Sequence, residues 1–178
     1  MKKTFTAAIV IMTLLFAGRA GAQTKIGYIS VDNMVSLMPE AASLDSLLGH
    51  YQSDTLNPKY AELVTMYKYK DSIYRDSVHK APETVRKQIA SELPTLIYQI
   101  QNWDQISQRA TQNKQNALLA PAYRKVYEAI KAVAKEKGYT YVANKEALLI
   151  APDGDDMSPA VAAKLRVKIP PQMLIGLK

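Results

Sequence analysis

Between Ile89 and Ala117, apolar residues follow a seven-residue pattern with polar interruptions at Ser107 and Lys114. This spacing places them on one side of an α-helix, where they form a narrow stripe instead of a broad core-filling face. From Leu119 a second stripe begins in a shifted phase, with Pro121 beside the change, so we expect the two halves to face different neighbours. The pattern predicts one long helix that ends at Gly138. The first stripe comprises Ile89, Leu93, Leu96, Ile100, Trp103, Ala110 and Ala117, and the second comprises Leu119, Tyr123, Val126, Ile130 and Val133.

An earlier segment carries a matching stripe and predicts a partner helix. Residues 79–83, His-Lys-Ala-Pro-Glu, predict a turn, so residues 43–78 should fold back against residues 84–119 as a helical hairpin. Proline removes a backbone donor and clashes with the carbonyl four residues before it. We therefore expect a kink or short break at Pro58 and a bend at Pro94. The stripe of the first arm comprises Tyr60, Leu63, Tyr67 and Tyr74.

Short strand-like segments flank the predicted hairpin. Residues 25–31, KIGYISV, predict a first strand, and residues 139–142 and 147–150 predict two more. A last helix should begin at Ser158, with a proline at its first helical position, and extend to about Arg166. Three short strands from one chain make a poor independent sheet. We therefore expect self-association through these strands.

The predicted fold class is α+β, with a long helical hairpin of coiled-coil-like arms on a small β body. The β-rich body comprises residues 23–39 and 138–168. The hairpin arm comprises residues 40–137, with its turn near residues 79–83. Residues 169–178 form a tail, for which the pattern suggests no role.

The first 22 residues have the composition of a secretory signal peptide. Lys2 and Lys3 provide a basic start, residues 7–17 are apolar, and Ala20-Gly21-Ala22 is a small-residue cleavage site before Gln23. The apolar segment is shorter than the roughly 20 residues that a membrane-spanning helix needs. The chain contains no cysteine for lipid attachment. These features predict a soluble protein exported to the periplasm.

The charge of the chain indicates acidic partners. The formal net charge is +7, and removal of residues 1–22 would lower it to +4 because that segment contains Lys2, Lys3 and Arg19 and no acid. A mildly basic protein attracts acidic molecules without requiring nucleic acid. We expect no nucleic-acid partner after export.

The reactive groups that catalysis requires do not converge in this sequence. His50 and His79 lack metal-ligand spacing, and no phosphate-binding glycine loop or nucleophile elbow occurs. Asp153, Asp155 and Asp156 resemble a fragment of a calcium loop, but the distal glutamate is missing. A solvated turn with acids at a helix start is the simpler interpretation of these three residues. We expect no enzymatic activity, no cofactor and no metal.

Tyrosines and cations are concentrated in the first arm and near its predicted tip. Helix packing and a solvated surface explain most of them. The alternative is that partly hydrated aromatic side chains and cations hold many unrelated chains weakly, or that the cations meet acidic membrane lipids. Under this alternative, the client-binding residues are Tyr60, Tyr67, Lys68, Tyr69, Lys70, Tyr74, Arg75 and Lys80.

Two segments carry a resemblance to a known family. The start KIGYISVDNMVSLMPE and the stretch PAYRKVYEAIKAVAKEKGYTYVANKEALLIAPDGDDMSPAVAAKL are similar to the Skp/OmpH family of periplasmic chaperones. The arms match only as a helical hairpin, and Pro58, Pro94 and the apolar tail depart from the family pattern.

The resemblance implies a homotrimer whose strands complete a small barrel, with three hairpin arms around a cavity. It also implies that unfolded outer-membrane β-barrel proteins are held in that cavity without ATP and kept from aggregating. The subunit interface would then contain Ile26, Tyr28, Ile29, Tyr139, Tyr141, Val142, Leu148 and Ile150.

A second hypothesis is a non-catalytic structural or adaptor protein of the cell envelope. Such a protein would dock one folded partner through a defined hot spot at its hairpin tip. Joint replacement of the tip cations separates the two hypotheses, because it should abolish a single complex but only weaken the holding of several clients. These cations are Lys68, Lys70, Arg75 and Lys80.

Overall fold

The computed structural model describes residues 24–76 and 81–171. The predicted signal peptide, residues 77–80 near the predicted turn and residues 172–178 of the predicted tail lie outside these ranges. Within the described ranges, no helix combines the length and the apolar character needed to cross a membrane.

Helices dominate the described residues, and two short strands pair beside them. The strands are β1 (Ile26–Ile29) and β2 (Tyr141–Asn144). The predicted α+β class, with a helical hairpin and a small sheet, is confirmed. The helices are α1 (Val31–Ser36), α2 (Pro39–Ala42), α3 (Leu44–Tyr51), α4 (Asn57–Arg75), α5 (Glu83–Gln101), α6 (Trp103–Lys137) and α7 (Ser158–Leu165).

The chain divides into two compact units. The strand unit is Met1–Val31 with Tyr127–Lys178, of which residues 24–31 and 127–171 are described. The hairpin unit is Asp32–Val126, of which residues 77–80 are not described.

In the strand unit, β1 and β2 form a parallel pair. Ile26 pairs with Tyr141, and Ile29 pairs with Asn144. Parallel strands need a long crossover connection, and here the whole hairpin lies between them in sequence. The apolar core of this unit consists of Tyr28, Ile29, Ala129, Ile130, Val133, Met157, Val161 and Ala162.

Gly138 ends α6 as the sequence predicted. Its φ of 71° lies in the left-handed region that glycine adopts without strain. The Tyr139 amide donates to the Ala134 carbonyl at 2.9 Å, and the Gly138 amide donates to the Lys135 carbonyl at 3.4 Å. These two bonds form a Schellman motif and satisfy carbonyls that the helix end would otherwise leave unpaired.

In the hairpin unit, α4 and α5 pack against each other along a narrow apolar seam. Leu63 of α4 is buried with Ile89, Leu93 and Leu96 of α5. These residues belong to the two stripes from which the hairpin was predicted, so that prediction is confirmed. Their spacing covers only one side of each helix.

The expected irregularity at Pro58 is a π-helical turn at Gln52–Leu56. In a regular α-helix, the proline ring would press on the carbonyl of Asp54, four residues earlier. The π turn widens the backbone, because the Asn57 amide donates to the Gln52 carbonyl five residues before it. The helical path continues through the proline without a loop.

The prediction of one uninterrupted helix from residue 84 to Gly138 is wrong, because α5 ends at Gln101 and α6 begins at Trp103. The break lies at Asn102, whose side-chain Nδ2 donates to the Tyr98 carbonyl at 2.8 Å. Asparagine side chains that bond nearby backbone groups compete with helical pairing. Pro94 and Pro121, by contrast, lie inside continuous helices.

The strand predicted at residues 147–150 is not formed. Residues 145–147 are a 3₁₀ turn, and the Leu148 amide donates to the Lys145 carbonyl at 3.0 Å. The strand predicted at residues 139–142 begins two residues later, at Tyr141, because Tyr139 takes part in the helix cap. The last helix, Ser158–Leu165, lies where it was predicted.

Candidate functional site

A cleft of 520 Å³ lies between α4 and α5. We call it the hairpin groove. It forms because side chains next to the buried seam, spaced three and four residues apart, stand on the same side of each helix. A third helix does not cover them within the described part of the hairpin unit. The groove is lined by Tyr60, Val64, Tyr67, Lys68, Ile97, Ile100 and Gln101.

The lining of the groove is mostly apolar and stays accessible to solvent. Tyr60 is 39% exposed and Ile97 is 36% exposed. The Tyr60 ring lies 5.5 Å from the ring of Trp103, at an interplanar angle of 37°. This tilted contact anchors one end of the groove, and such arrangements are favoured for aromatic pairs.

Three of the four cations of α4 are paired with acids. Lys59 contacts Glu62 at 2.8 Å, and Lys70 bonds Glu92 across the seam. Arg75 contacts Asp71 at 2.8 Å. Lys68, which lines the groove, has no acidic partner among the described residues.

The ion pairs shift two ionisation equilibria. The hydrogen bond from the Lys70 ammonium, supported by Gln88, lowers the pKa of Glu92. The hydrogen bond to Asp71 and its negative charge raise the pKa of Arg75. Lys70 and Arg75 are therefore occupied within their own unit, which leaves Lys68 as the available cation of α4.

The structure brings together only part of the predicted client-binding set. Tyr60, Tyr67 and Lys68 line the groove. Tyr69 lies off the stripe and is 66% exposed. Tyr74 is half exposed and lies beneath the guanidinium of Arg86, whose carbon is 5.7 Å from the ring centre. The remaining members are Lys70 and Arg75, which are ion-paired, and Lys80, which lies outside the described residues.

Sequence reasoning missed Val64 and Ile97 and treated Ile100 only as a packing residue. A signal for Val64 existed, because it follows Tyr60 by four residues and therefore shares its side of the helix. Ile97 is adjacent to the buried Leu96, and only the paired helices show which side it faces.

A second cleft of 300 Å³ lies elsewhere along the two helices, lined by Met66, Lys70, Ser91, Glu92, Thr95 and Leu96. Lys70 and Glu92 satisfy each other there. A ligand in this cleft would compete with that ion pair, so the hairpin groove is the better candidate.

The predicted interface residues of the strand unit fall into two groups. Tyr28 and Ile29 belong to the unit's own core. Tyr139 and Val142 are half-buried, and Lys25 Nζ lies 4.1 Å above the Tyr139 ring. The exposed group comprises Ile26, Tyr141, Leu148 and Ile150, and Leu149 beside them is fully exposed.

The acidic loop of the strand unit lies close to Tyr28. Burial raises the pKa of the Tyr28 hydroxyl, and the carboxylates of Asp156, Asp153 and Asp155 raise it further. The Asp156 side chain accepts a bond from the Ser158 amide at 2.7 Å, which supports the start of α7. No cluster within residues 24–76 and 81–171 has the ligands to hold a metal ion.

Comparison with known proteins finds one matching family model and a similar solved structure. Residues 25–165 match the family model described as outer membrane protein (OmpH-like). Among solved structures, an OmpH-like outer membrane chaperone from Caulobacter crescentus is similar at 18% identity, with a TM-score of 0.47 over 82% of this chain and 86% of that one. No curated protein sequence matches.

Proposed function

The chain belongs to the OmpH-like outer membrane protein family, and from this membership we propose that it is a periplasmic chaperone of unfolded outer-membrane proteins. It acts as a holdase, which binds clients without ATP and prevents their aggregation. The single observation that carries this proposal is the family match over residues 25–165. The expected export signal in residues 1–22 is consistent with the proposed location.

The hairpin groove supports a holding role. Its Tyr60 and Tyr67 side chains present apolar area together with a polar hydroxyl, which suits contacts that must tolerate water. Its lining offers no convergent set of reactive groups, so binding is the activity to expect. Several such surfaces brought close together would hold a client through many weak contacts, because linked binding events reinforce each other.

The strand unit supports a homotrimer. Within the described residues, β2 pairs only with β1, which leaves its other edge open. Exposed strand edges and apolar residues promote association with further chains. We propose that three copies bury this edge and the exposed residues Ile26, Tyr141, Leu148 and Ile150, and that the hairpins then surround a client cavity.

Native mass spectrometry of the chain without residues 1–22 tests the assembly. We expect a mass of three protomers for the wild type and of one protomer for Tyr141→Asp, because a carboxylate would be buried at the interface. Tyr127→Asp is the matched control, since it makes the same exchange at an exposed tyrosine of the same unit that lies outside the proposed interface. A trimeric Tyr141→Asp protein would show that Tyr141 lies outside the interface.

Light scattering tests the function. An outer-membrane β-barrel protein unfolded in urea is diluted with and without a slight molar excess of the assembled chaperone. We expect suppression of scattering without added nucleotide and no suppression by an unrelated protein of similar charge. Equal scattering with and without the protein would contradict the holdase proposal.

A further inference from the structure

We propose that the hairpin groove selects an aromatic side chain that stands two positions from an acidic residue in an extended client segment. This inference rests on the proposed function and deepens it, because it assigns the client feature that the groove recognises. It follows from the size of the groove, its lining and the one unpaired cation at its side.

The groove has room for an aromatic side chain and the client backbone beside it, and its lining suits the ring. A volume of 520 Å³ lies within the range of about 300–1,000 Å³ that is typical of ligand clefts. The aliphatic members Val64, Ile97 and Ile100 can cover the faces of an inserted ring. Tyr60 and Tyr67 can meet it in the tilted or offset arrangements that aromatic pairs prefer.

Charge complementarity fixes the second part of the client feature. Lys68 is the only charged residue in the lining of the groove. Its neighbours on α4, Lys59, Lys70 and Arg75, already contact acids of the hairpin unit. A client carboxylate would therefore meet one available ammonium and no carboxylate of the lining.

The spacing of two positions follows from the geometry of an extended chain. Alternate side chains point to the same side of a strand, and they are about 6 to 7 Å apart. A residue two positions from the inserted ring therefore lies on the protein side of the client and within reach of the long Lys68 side chain. The residue between them points to solvent, so its identity is free.

Trp103 provides the readout. It is the single tryptophan of the chain, and its ring contacts Tyr60 at the end of the groove. Blocked peptides without tryptophan, containing Phe-Gly-Glu, Phe-Gly-Lys or Ala-Gly-Glu, are titrated into the assembled chain while its fluorescence is followed. We expect the Phe-Gly-Glu peptide to bind about fivefold more tightly than the Phe-Gly-Lys peptide, which is the upper range for an exposed ion pair. The Ala-Gly-Glu peptide should bind more weakly than Phe-Gly-Glu.

Charge reversal at the groove gives the decisive comparison. Lys68→Glu should invert the preference, so that the Phe-Gly-Lys peptide binds more tightly. Lys59→Glu, on the same helix but outside the lining, should keep the wild-type preference. A Lys68→Glu protein that still prefers Phe-Gly-Glu would overturn the proposal.

A second pair of variants tests the apolar part. Ile97→Gln should weaken binding of both phenylalanine peptides several-fold, while Ile106→Gln, which is similarly exposed at 37% but outside the lining, should not. Both positions are exposed enough that the fold should tolerate glutamine, and circular dichroism checks this. Equal binding by the two variants would overturn the assignment of the groove.

The scattering assay separates this inference from the proposed function. A wild-type protein that suppresses aggregation but shows no peptide preference would overturn the inference and leave the holdase proposal intact. A protein that shows the preference but does not suppress aggregation would support the inference and contradict the holdase proposal.

Discussion

The strand unit and the paired helices α4 and α5 of the hairpin unit bury their apolar side chains in different ways. In the strand unit, four side chains from different parts of the chain are each at most 2% exposed. They are Ile29 of β1, Val133 of α6, Met157 of the loop before α7, and Val161 of α7. In the hairpin, α4 and α5 bury a single seam that includes Leu63, Leu93 and Leu96. A two-helix seam leaves its flanks uncovered, so the groove stays accessible because, within the described part of the hairpin unit, a third helix does not cover it.

The difference predicts where the free energy of unfolding is concentrated. Full burial of an aliphatic or methionine side chain contributes about 1.5–3 kcal/mol. The strand unit has several such side chains. Among the described residues of α4 and α5, no side chain is buried to that degree, so this pair depends more on helix propensity and on polar pairs such as Lys70 with Glu92.

The largest effect is expected for Met157→Ala in the strand unit. Met157 is 1% exposed, and truncation of a fully buried side chain costs about 2–5 kcal/mol. The loss of stability for Leu93→Ala in the hairpin seam should lie at or below the lower end of that range, because the two helices can move together and close the cavity that the shorter side chain leaves. Hydrogen exchange of amides in each unit measures both effects. Met66→Ala, at a partly exposed position, serves as the control and should cost less than either substitution. Equal losses for Met157→Ala and Leu93→Ala would contradict the contrast between the two regions.

A smaller loss is expected for Gly27→Ala in β1. A Cβ at this position would lie 2.6 Å from Met157 Sδ and 3.0 Å from Tyr139 Cδ1. Because Met157 is fully buried and would have to repack among its neighbours, we expect overpacking to cost about 1–3 kcal/mol. The double variant with Met157→Ala should lose less than the sum of the single losses, since the shortened side chain makes room. Strict additivity, measured by urea unfolding, would show that the close approach is not the cause, and Gly154→Ala, where space is open, is the control.

The smallest effect concerns the pH dependence of the hairpin. Lys70 lowers the pKa of Glu92 below its ordinary value of 4.5 in the folded state. The unfolded chain therefore binds the proton more tightly, so this contribution is present above the ordinary value and is lost as the pH falls through the folded value. The urea midpoint followed by Trp103 fluorescence should fall on acidification from about pH 7 to about pH 3.5, and less steeply in Glu92→Gln.

Some of that slope should remain in Glu92→Gln. The hydrogen bond from Lys125 also lowers the pKa of Glu40, which belongs to the same unit. An identical slope in wild type and Glu92→Gln would show that the pair across the seam does not stabilise the hairpin.

The regular parts of the fold could be predicted from the sequence. The stripes through Leu63, Leu93 and Val126 identified which sides of the helices are buried. Gly138 and Pro159 marked helix boundaries because the backbone conformations that they favour are local. Periodicity and local chemistry are sufficient for such features.

The irregular parts depend on interactions that periodicity does not encode. The helix break occurs at Asn102, where the side chain bonds a backbone carbonyl. It does not occur at Pro94, because this proline is exposed and water can replace the helical hydrogen bond that it removes. Residues 147–150 are a short apolar run of the kind that buried strands contain, but no neighbouring strand pairs with them in the described chain.

The groove was only half predictable for a related reason. Tyr60, Tyr67 and Lys68 were singled out by residue type, but Lys70 and Arg75 have the same chemistry and are occupied by acids. Whether a cation is available depends on the acids near it in the fold. Glu92 of the partner helix pairs with Lys70, and Asp71, four residues before Arg75 on the same helix, pairs with Arg75. Only the folded hairpin distinguishes Lys68 from the others.

The π turn before Pro58 has a consequence for the length of the first arm. It holds one residue more than an α-helical turn would, and the wider turn takes up that extra residue. Deletion of one residue from Gln52–Leu56 would therefore restore an α-helical turn and change the direction of Leu44 and Leu48 relative to Leu63 only slightly. The Pro58 ring would then lose its widened backbone and clash with the carbonyl four residues before it, so the extra residue is what allows this arm to contain a proline.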